Sequence, residues 1–455
     1  MSGLSLTRKI HPGILIILSF IGLILIGAIL LELPFSYVSK KIDFIDALFT
    51  STSAVCVTGL VVVDTGTFFT TFGKTVIITL IQIGGLGVMT VSVMIFYLMG
   101  KSISIKQRFI IQDLFSQAPR GDILNLLRSI LIFTLLVEFL GSLLLFFHWV
   151  REFSILKAAY LSIFHSISAF CNAGFSLFSN SGMNYSASPL FNITMCSLIV
   201  LGGIGFPVIY DIYQKRFLHR GERSKLSVQT KTVLITTSSL IIAGALLFWI
   251  LEYDLILKGR GFLEKIMVSL FQSITCRTAG FNTVDISMLS APTLTLMMFL
   301  MFFGASPGSC GGGVKTTTLA LLISFGISRL KGGSRVNMFK KSIPMDTVQK
   351  SLSLVIISLV IIFIIFFILL TQIPHYKITY NNQHYFLPLL FETISAFGTV
   401  GLSMGVTAKL NFIDKIFIIL LMLIGRVGVL TFAYTIVEAG PKKKIEYAEE
   451  NIMIG

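Results

Sequence analysis

The stretch from which the fold can be worked out is FHSISAFCNAGF, residues 164–175. It is Ser-rich and apolar, ends near Gly174, and is shorter than the roughly 20 apolar residues with which a helix crosses a bilayer. Similar segments recur as FTSTSAVCVTGL (49–60), FQSITCRTAGF (271–281) and FETISAFGTVGL (391–402). Their corresponding glycines are Gly59, Gly280 and Gly401. Because recurrence along a chain marks a repeat architecture, the four segments predict four similar membrane modules.

The composition indicates a membrane protein. Of 455 residues, 54% are hydrophobic and only 13% are charged, whereas soluble domains carry about 25% charged residues. Apolar runs at 14–31, 130–150, 354–370 and 416–437 approach or reach the length of a membrane-spanning helix. The polar segments between the repeats are too short for a domain of the usual 50 or more residues. We therefore expect an all-α polytopic membrane protein with no soluble nucleotide-binding or catalytic domain.

The net charge of +15 is concentrated in segments between the repeats. Lys and Arg gather at 101–128, 215–231 and 329–350, near the N-terminus and at 442–444. The positive-inside rule then places both termini and all three inter-repeat loops in the cytoplasm of a plasma-membrane protein. The charge is thus explained by topology, and no nucleic-acid partner is expected. The five cysteines are scattered and follow neither a disulfide nor a metal-ligand pattern.

Each repeat is predicted as a helix, a short re-entrant pore segment, an extended loop and a second helix. Two crossings per repeat make all four repeats parallel, which predicts a pseudo-fourfold axis along the membrane normal. The predicted boundaries are 1–100 (pore segment 44–60), 101–218 (157–175), 219–335 (264–281) and 336–438 (386–402), with a cytoplasmic tail at 439–455. The predicted spanning helices are 11–33, 74–98, 123–150, 189–213, 228–251, 292–330, 347–370 and 411–437.

The ends of the four pore segments are suited to binding a monovalent cation. Backbone that is unpaired at membrane depth must be buried or line a water-filled cavity, and inward carbonyl oxygens can replace an ion's hydration shell. Glycine suits the backbone angles that this requires, and the flanking residues carry little ionisable chemistry. The predicted potassium filter comprises Val57, Thr58, Gly59, Asn172, Ala173, Gly174, Thr278, Ala279, Gly280, Thr399, Val400 and Gly401.

Several charged or polar residues lie close to these segments. Asp64 and Asp285 each follow their glycine by five positions, and we expect them to face each other across an outer mouth that concentrates cations. Arg277 is expected to point behind the filter, with Glu392 or Asp64 as candidate partners. His165 and Glu392 are expected to support the filter by hydrogen bonds. The third segment is one residue shorter than the others between its Phe and its Gly, which leaves its register open.

A glycine-rich run interrupts the second helix of the third repeat. Five glycines and Pro307 between Gly304 and Gly313 cannot sustain a helix. A phosphate-binding loop is not expected there, since Val314 separates the last glycine from Lys315 and no strand precedes it. We predict a mobile gate below the filter, formed by Gly304, Ser306, Pro307, Gly308, Ser309, Cys310, Gly311, Gly312, Gly313 and Lys315. Arg426, a charge within an apolar helix, is predicted to face the same cavity and to hold the loop.

The four segments, GASPGSCGGGVKTTT (304–318) and IGRVG (424–428) resemble the Trk/Ktr/HKT superfamily of cation transporters, most closely the KtrB-type membrane subunits of bacterial Ktr potassium uptake systems. The resemblance covers essentially the whole chain. It implies one filter glycine per repeat and an intramembrane loop that obstructs conduction. Gly59 favours potassium, because sodium-favouring plant relatives often carry Ser there. The resemblance also implies a homodimer above a KtrA-like ring of RCK subunits that bind ATP or ADP, and sodium-stimulated uptake with no residue assigned.

A sodium-selective or Na⁺/K⁺-coupled transporter of the same fold is also compatible with the sequence. Two other classes of protein fit it less well. A secondary transporter for an organic solute would more typically show inverted repeats and unwound helices with ionisable ligands. A membrane enzyme would need paired acid–base or metal-ligating residues within the bilayer, for which only His165 and Glu392 are near candidates. We therefore expect a transport protein without enzymatic activity.

Overall fold

The computed structural model describes residues 12–38, 40–87, 123–215, 225–372 and 383–429, and these residues are mostly helical. The helices, in chain order, are α1 (Pro12–Glu32), α2 (Phe44–Val55), α3 (Thr65–Phe68), α4 (Thr71–Leu86), α5 (Ile123–Trp149), α6 (Ile155–Phe170), α7 (Pro189–Ile204), α8 (Phe206–Tyr213), α9 (Val228–Glu252), α10 (Phe262–Thr275), α11 (Ala291–Phe302), α12 (Thr316–Leu330), α13 (Met345–Thr371), α14 (Gln383–Gly398) and α15 (Phe412–Val427). Three 3₁₀ turns lie at Met183–Tyr185, Ile286–Met288 and Thr407–Lys409. An antiparallel hairpin pairs β1 (Val336–Met338) with β2 (Lys341–Ile343).

Among the described residues, three helices are long and apolar enough to cross a bilayer: Arg128–Trp149 within α5, α9 and α13. The pair α7 and α8 would be a fourth if it is counted as one span, and it is bent by 90°. Large apolar side chains are exposed along these helices, as in Phe139, Ile250 and Phe363. Such exposure suits a surface that faces lipid.

Four short helices, α2, α6, α10 and α14, contain the pore segments. They begin within three residues of the predicted starts of the pore segments and end four to six residues before the predicted ends. Each is followed by non-helical backbone, and the last turns of α2, α6 and α10 are buried. Because the serine and threonine hydroxyls of these turns bond to carbonyl oxygens, polar side chains are tolerated in this interior.

The helices that follow the pore segments are broken more often than predicted. The prediction of one helix over 189–213 is wrong. One helix ends at Ile204 and a second begins at Phe206, and the two are bent by 90° relative to each other. Gly205 at the bend has φ 96°, a conformation that favours glycine, and Pro207 begins the next helix. The predicted break of 292–330 is present between α11 and α12. Of the predicted helices 74–98 and 411–437, the parts after residues 87 and 429 lie outside the described residues, as do His11 and the predicted tail.

The contacts between the helices form a closed ring. Each helix that follows a pore segment packs against the next short helix: α4 on α6, α7 on α10, α11 on α14, and α15 on α2. The last contact includes an ion pair in which Lys415 Nζ lies 2.5 Å from Asp46 Oδ1. The largest fully buried side chains, among them Trp149, Phe170 and Phe397, lie in this interior. This packing brings the ends of the four short helices towards the same axis.

Candidate functional site

The four glycines singled out in the sequence surround one opening. A Cβ built on Gly59 would lie 2.9 Å from Cα of Gly174, and one built on Gly174 would lie 3.0 Å from Cα of Gly280. Gly280 in turn faces Gly401, at 3.3 Å by the same measure, and Gly401 faces Gly59 at 2.9 Å. No side chain fits at these positions without displacing backbone. The four segments therefore meet at a constriction formed by main chain.

Carbonyl oxygens lie around this constriction. The carbonyl oxygen of the residue before each glycine lies against the preceding glycine around the ring; a Cβ on Gly59, for example, would be 2.5 Å from Ala173 O. The residue two positions before each glycine has a positive φ: Val57 57°, Asn172 57°, Thr278 71° and Thr399 49°. Positive φ is strained for β-branched residues, and such strain tends to occur at ligand-binding sites, where the surrounding structure holds it in place.

The shorter third segment joins the ring in the same register. Thr58, Ala173 and Val400 each donate a backbone hydrogen bond to the carbonyl five residues back, whereas Ala279 donates to the carbonyl four residues back, that of Thr275. The turn after α10 is thus one residue shorter than the corresponding turns of the other three segments. Thr278 keeps the positive φ of its counterparts, so the register that the sequence left open is the same in all four segments.

Polar side chains on the short helices hold the segments that follow the glycines. His165 Nε2 lies 3.1 Å from Ser176 Oγ and accepts a hydrogen bond from Leu177 N. Glu392 accepts hydrogen bonds from the hydroxyl groups of Ser403 and Thr407. The supporting hydrogen bonds predicted for His165 and Glu392 are therefore present.

Gln272 is a third support of this kind, and the sequence analysis missed it. Its Nε2 donates to Thr283 Oγ1 at 3.2 Å. The signal that could have found it is its position, since it lies three residues before Thr275 as His165 lies three residues before Ser168.

Asp64 and Asp285 line the same cavity, of about 450 Å³, whose floor is formed by the four glycines. Each also caps a short helical turn: Asp64 Oδ1 accepts from Thr67 N at 2.9 Å, and Asp285 Oδ1 from Ser287 N at 2.9 Å. Burial would raise the pKa of Asp64, but hydrogen bonds from Ser179, Thr67 and Gly66 outweigh it and bring the pKa below its ordinary value. Asp64 therefore stays ionised at neutral pH, where its negative charge favours cations in the cavity.

Arg277 points away from the opening, behind the constriction, but its predicted partners are wrong. The side chain is 5% exposed, and Nη2 donates to Thr237 Oγ1 of α9 at 3.2 Å. Glu392 and Asp64 are engaged by other groups, and no ion pair to Arg277 occurs within the described ranges. The error arose because the sequence does not say which helix packs behind the third segment.

The glycine-rich loop lies directly beneath the constriction, docked on neighbouring segments. Its backbone N–H groups at Ser306 and Cys310 donate to the carbonyl oxygens of Gly203 and Gly202, at 3.1 and 3.2 Å. Gly312 N donates to Thr399 Oγ1 at 2.9 Å. Further hydrogen bonds of the loop run from Gly313 N to Gly425 O, from Phe206 N to Gly308 O, and between the hydroxyl groups of Ser306 and Thr316. The loop therefore lies below the opening and is held by hydrogen bonds to three helix breaks or ends.

Two cationic side chains hold adjacent carbonyl groups of this loop. Arg426 donates to the carbonyl oxygens of Cys310 and Gly84, and also to that of Gly85 at 3.4 Å. Lys315 Nζ donates to Gly311 O at 2.8 Å. The predicted hydrogen bond between Arg426 and the loop is present; the role of these residues in gating stays a prediction.

Glu138 is a buried carboxyl group that the sequence analysis did not single out. It lies on α5 and accepts a hydrogen bond from Gln82 Nε2 at 3.2 Å, while Cys171 Sγ lies 3.6 Å from Gln82 Oε1. A lone acidic residue within a long apolar run was the available signal, since ionisable residues in membrane helices face the protein interior. The three side chains join α4, α5 and the end of α6.

These features can bind and pass a small cation. Carbonyl oxygens surround an opening, a carboxylate-bearing cavity lies on one side of it, and a polar loop lies on the other. Among the described residues there is no cluster of three or more His, Cys, Asp or Glu side chains that could hold a metal ion. The arrangement of carbonyl oxygens, acidic cavity and polar loop is that of a membrane transport protein for cations.

Comparison with known proteins gives the family. The family model TrkH, described as a cation transport protein, matches residues 10–447, and the chain belongs to this family. The Ktr system potassium uptake protein B of Bacillus subtilis is 38% identical over 98% of this chain and 97% of its own length. The protein of that name from Vibrio alginolyticus is 38% identical over 97% of this chain and 94% of its own length. The potassium/sodium uptake protein NtpJ of Enterococcus hirae is 37% identical over 98% of both chains.

A solved structure shares the fold. The potassium transporter TrkH of Vibrio parahaemolyticus superposes with a TM-score of 0.72 over 95% of this chain and 86% of its own, at 19% identity. The resemblance to this family inferred from the four segments is therefore confirmed.

Proposed function

We propose that this chain is the ion-conducting membrane subunit of a potassium uptake system, built as four parallel repeats around a pseudo-fourfold pore. The observation that carries the proposal is the ring of Gly59, Gly174, Gly280 and Gly401, with the carbonyl oxygens of the preceding residues beside it. Carbonyl oxygens in such a ring replace the water around a monovalent cation without binding it too tightly to leave. The two relatives named as Ktr potassium uptake proteins B support potassium as the ion.

The loop beneath the ring serves as the gate in this proposal. Hydrogen bonds to Gly202, Gly203 and Thr399 hold the loop in the space through which, in this proposal, an ion would leave the constriction. Arg426 and Lys315 add two positive charges there, which repel a cation and hold the loop. Conduction then requires the loop to leave this position.

Control of the gate is assigned to another protein. The name of the Ktr system relatives supports a partner subunit in the same system. From the family resemblance we assign this role to a cytoplasmic ring of RCK subunits that bind ATP or ADP, beneath a homodimer of this chain. Both termini lie in the cytoplasm in this arrangement. The Enterococcus relative, named as a potassium/sodium uptake protein, favours sodium as a second transported or stimulating ion.

The test is flux of rubidium and sodium into liposomes that contain the purified full-length protein, with and without the ring subunits. Rubidium should enter faster than sodium, and the ring subunits should change the rate. Gly59→Ser should lower the preference for rubidium, because a side chain there overlaps Ala173 O. Gly22→Ser is the matched control, since a Cβ on Gly22 meets nothing within 4 Å. Equal flux of the two ions in the wild-type protein, or no difference between the two variants, would contradict the proposal.

A further inference from the structure

The segment that joins α12 to α13 carries a dense group of exposed cations. α12 begins just below the glycine-rich loop and runs 15 residues, about 22 Å, away from it. The chain then forms the β1–β2 hairpin and turns back into α13. Between residues 329 and 350 the only acidic residue is Asp346. The exposed basic residues, which we call the basic hairpin surface, are Arg329, Lys331, Arg335, Lys340, Lys341 and Lys350.

These cations are available to a ligand. None of them takes part in the ion pairs of the described residues, which involve Glu32, Asp46, Asp211 and Glu264. Arg329 lies over the ring of Phe325, 5.3 Å from its centroid, and Nη1 makes a hydrogen bond to Gly333 O at 3.4 Å. Neighbouring like charges repel one another, and an anion placed among them relieves this repulsion.

The hairpin holds these charges in a fixed arrangement. Val336 and Met338 pack with Leu321 and Val348, so one face of the hairpin is buried against α12 and α13. Asn337 pairs with Ser342 on the opposite, exposed face. Ser328 Oγ donates to Arg335 O at 2.8 Å and ties the start of the hairpin to α12. The hairpin that carries these cations is therefore packed against α12 and α13.

Exposed apolar side chains lie among the cations. Leu330, at the end of α12, is 90% exposed, and Phe339, at the turn of the hairpin, is 41% exposed. Met345 and Leu352 at the start of α13 are also exposed. A surface that combines basic and apolar side chains at the ends of apolar helices matches the boundary between lipid headgroups and acyl chains.

We propose that the basic hairpin surface binds an anionic phospholipid of the adjacent leaflet, with the phosphodiester among the cations and the acyl chains beside Leu330. Clusters of four to eight Lys or Arg residues next to membrane helices bind anionic headgroups. The exposed apolar residues at the ends of α12 and α13 favour a lipid, whose acyl chains they would contact, over a soluble anion. The lipid therefore joins the end of α12 that lies away from the glycine-rich loop to the start of α13.

The test uses the purified full-length protein in nanodiscs of phosphatidylcholine with or without phosphatidylglycerol. The measurement is the phosphatidylglycerol retained relative to phosphatidylcholine after extraction. The double variant Arg335→Gln/Lys341→Gln should bind phosphatidylglycerol about 25-fold more weakly, because each cation near an anionic headgroup contributes about fivefold. The matched control is Arg151→Gln/Lys258→Gln, which removes two exposed cations near the opposite face and should leave retention unchanged.

Four results would overturn the proposal. The first is retention by the hairpin variant equal to that of the wild-type protein. The second is an equal loss of lipid by the control pair, which would mark a net-charge effect. Displacement of the lipid by inorganic phosphate would mark a site for a soluble anion. Unchanged lipid retention with loss of binding to the ring subunits would mark a protein-docking surface. Equal melting temperatures of the two double variants would show that both are folded, and the measurement does not depend on ion flux.

Discussion

Replacing Arg426 by Ala tests the gate most directly. The substitution removes the hydrogen bonds from the guanidinium to the carbonyl oxygens of Cys310 in the loop and Gly84 at the end of α4. A hydrogen bond to a charged group contributes about 1.5–3 kcal/mol. Only the bond to Cys310 joins Arg426 to the loop directly, so the docked position loses about 2 kcal/mol. This changes the ratio of undocked to docked loop by about 30-fold.

The remaining backbone bonds from Ser306, Cys310 and Gly313 still favour the docked position, so Arg426→Ala should raise basal rubidium flux by up to that factor. The assay is rubidium uptake into proteoliposomes without ring subunits, normalised to the amount of folded protein. Arg426→Lys keeps the positive charge, but a lysine ammonium lacks the planar guanidinium that binds both carbonyl oxygens at once. The rubidium flux of this variant should lie between those of Arg426→Ala and the wild-type protein. Unchanged or lower flux in Arg426→Ala, at normal protein levels, would refute the gate.

Four further changes have defined outcomes. Asp64→Asn with Asp285→Asn should raise the rubidium concentration for half-maximal uptake at low ionic strength, with the effect shrinking in high salt because salt screens the cavity field; an unchanged concentration would mean that both are only helix caps. Asp64→Asn alone should lower the melting temperature at pH 7, and the difference in melting temperature from the wild-type protein should narrow below about pH 4. The pKa of Asp64 is lowered in the folded protein, so the ionised carboxylate stabilises the fold above the ordinary value of 3.8. This stabilisation is lost as the pH falls through the lowered pKa. Glu392→Ala should cost about 2–4 kcal/mol of stability and reduce the preference for rubidium over sodium, because two hydroxyl groups and the N–H of Val406 lose their acceptor. Glu392→Gln should retain most of the stability and most of the ion preference. Equal losses of stability and ion preference in the two variants would contradict this reasoning. Glu138→Leu should destabilise the protein by about 1–3 kcal/mol, seen as a lower melting temperature, because Gln82 Nε2 loses its acceptor; an unchanged melting temperature would contradict the inferred network.

The short helices and the break before Lys315 were predictable because their causes are local. A segment of about 12 apolar and hydroxyl-bearing residues cannot span a bilayer, whatever it packs against. Glycine and proline in the run from Gly304 to Gly313 break a helix for reasons contained in the backbone itself. The bend at Gly205 was missed because one glycine in an apolar helix is equally compatible with close helix packing. Gly205 followed at once by Phe206 and Pro207 was the available signal.

Four matching segments in the sequence therefore determined the class of fold, the positions of the four glycines and the approximate ends of most helices. Tertiary structure alone decided which atoms meet. Arg426 bonds to Gly84, 342 residues away, and Lys415 pairs with Asp46, 369 residues away, because the last helix packs against the first short helix. Arg277 faces Thr237 rather than a carboxylate for the same reason. Hydrophobic periodicity and backbone preference act over a few residues, whereas the partner of a buried polar group is set by which helices the closed ring brings together.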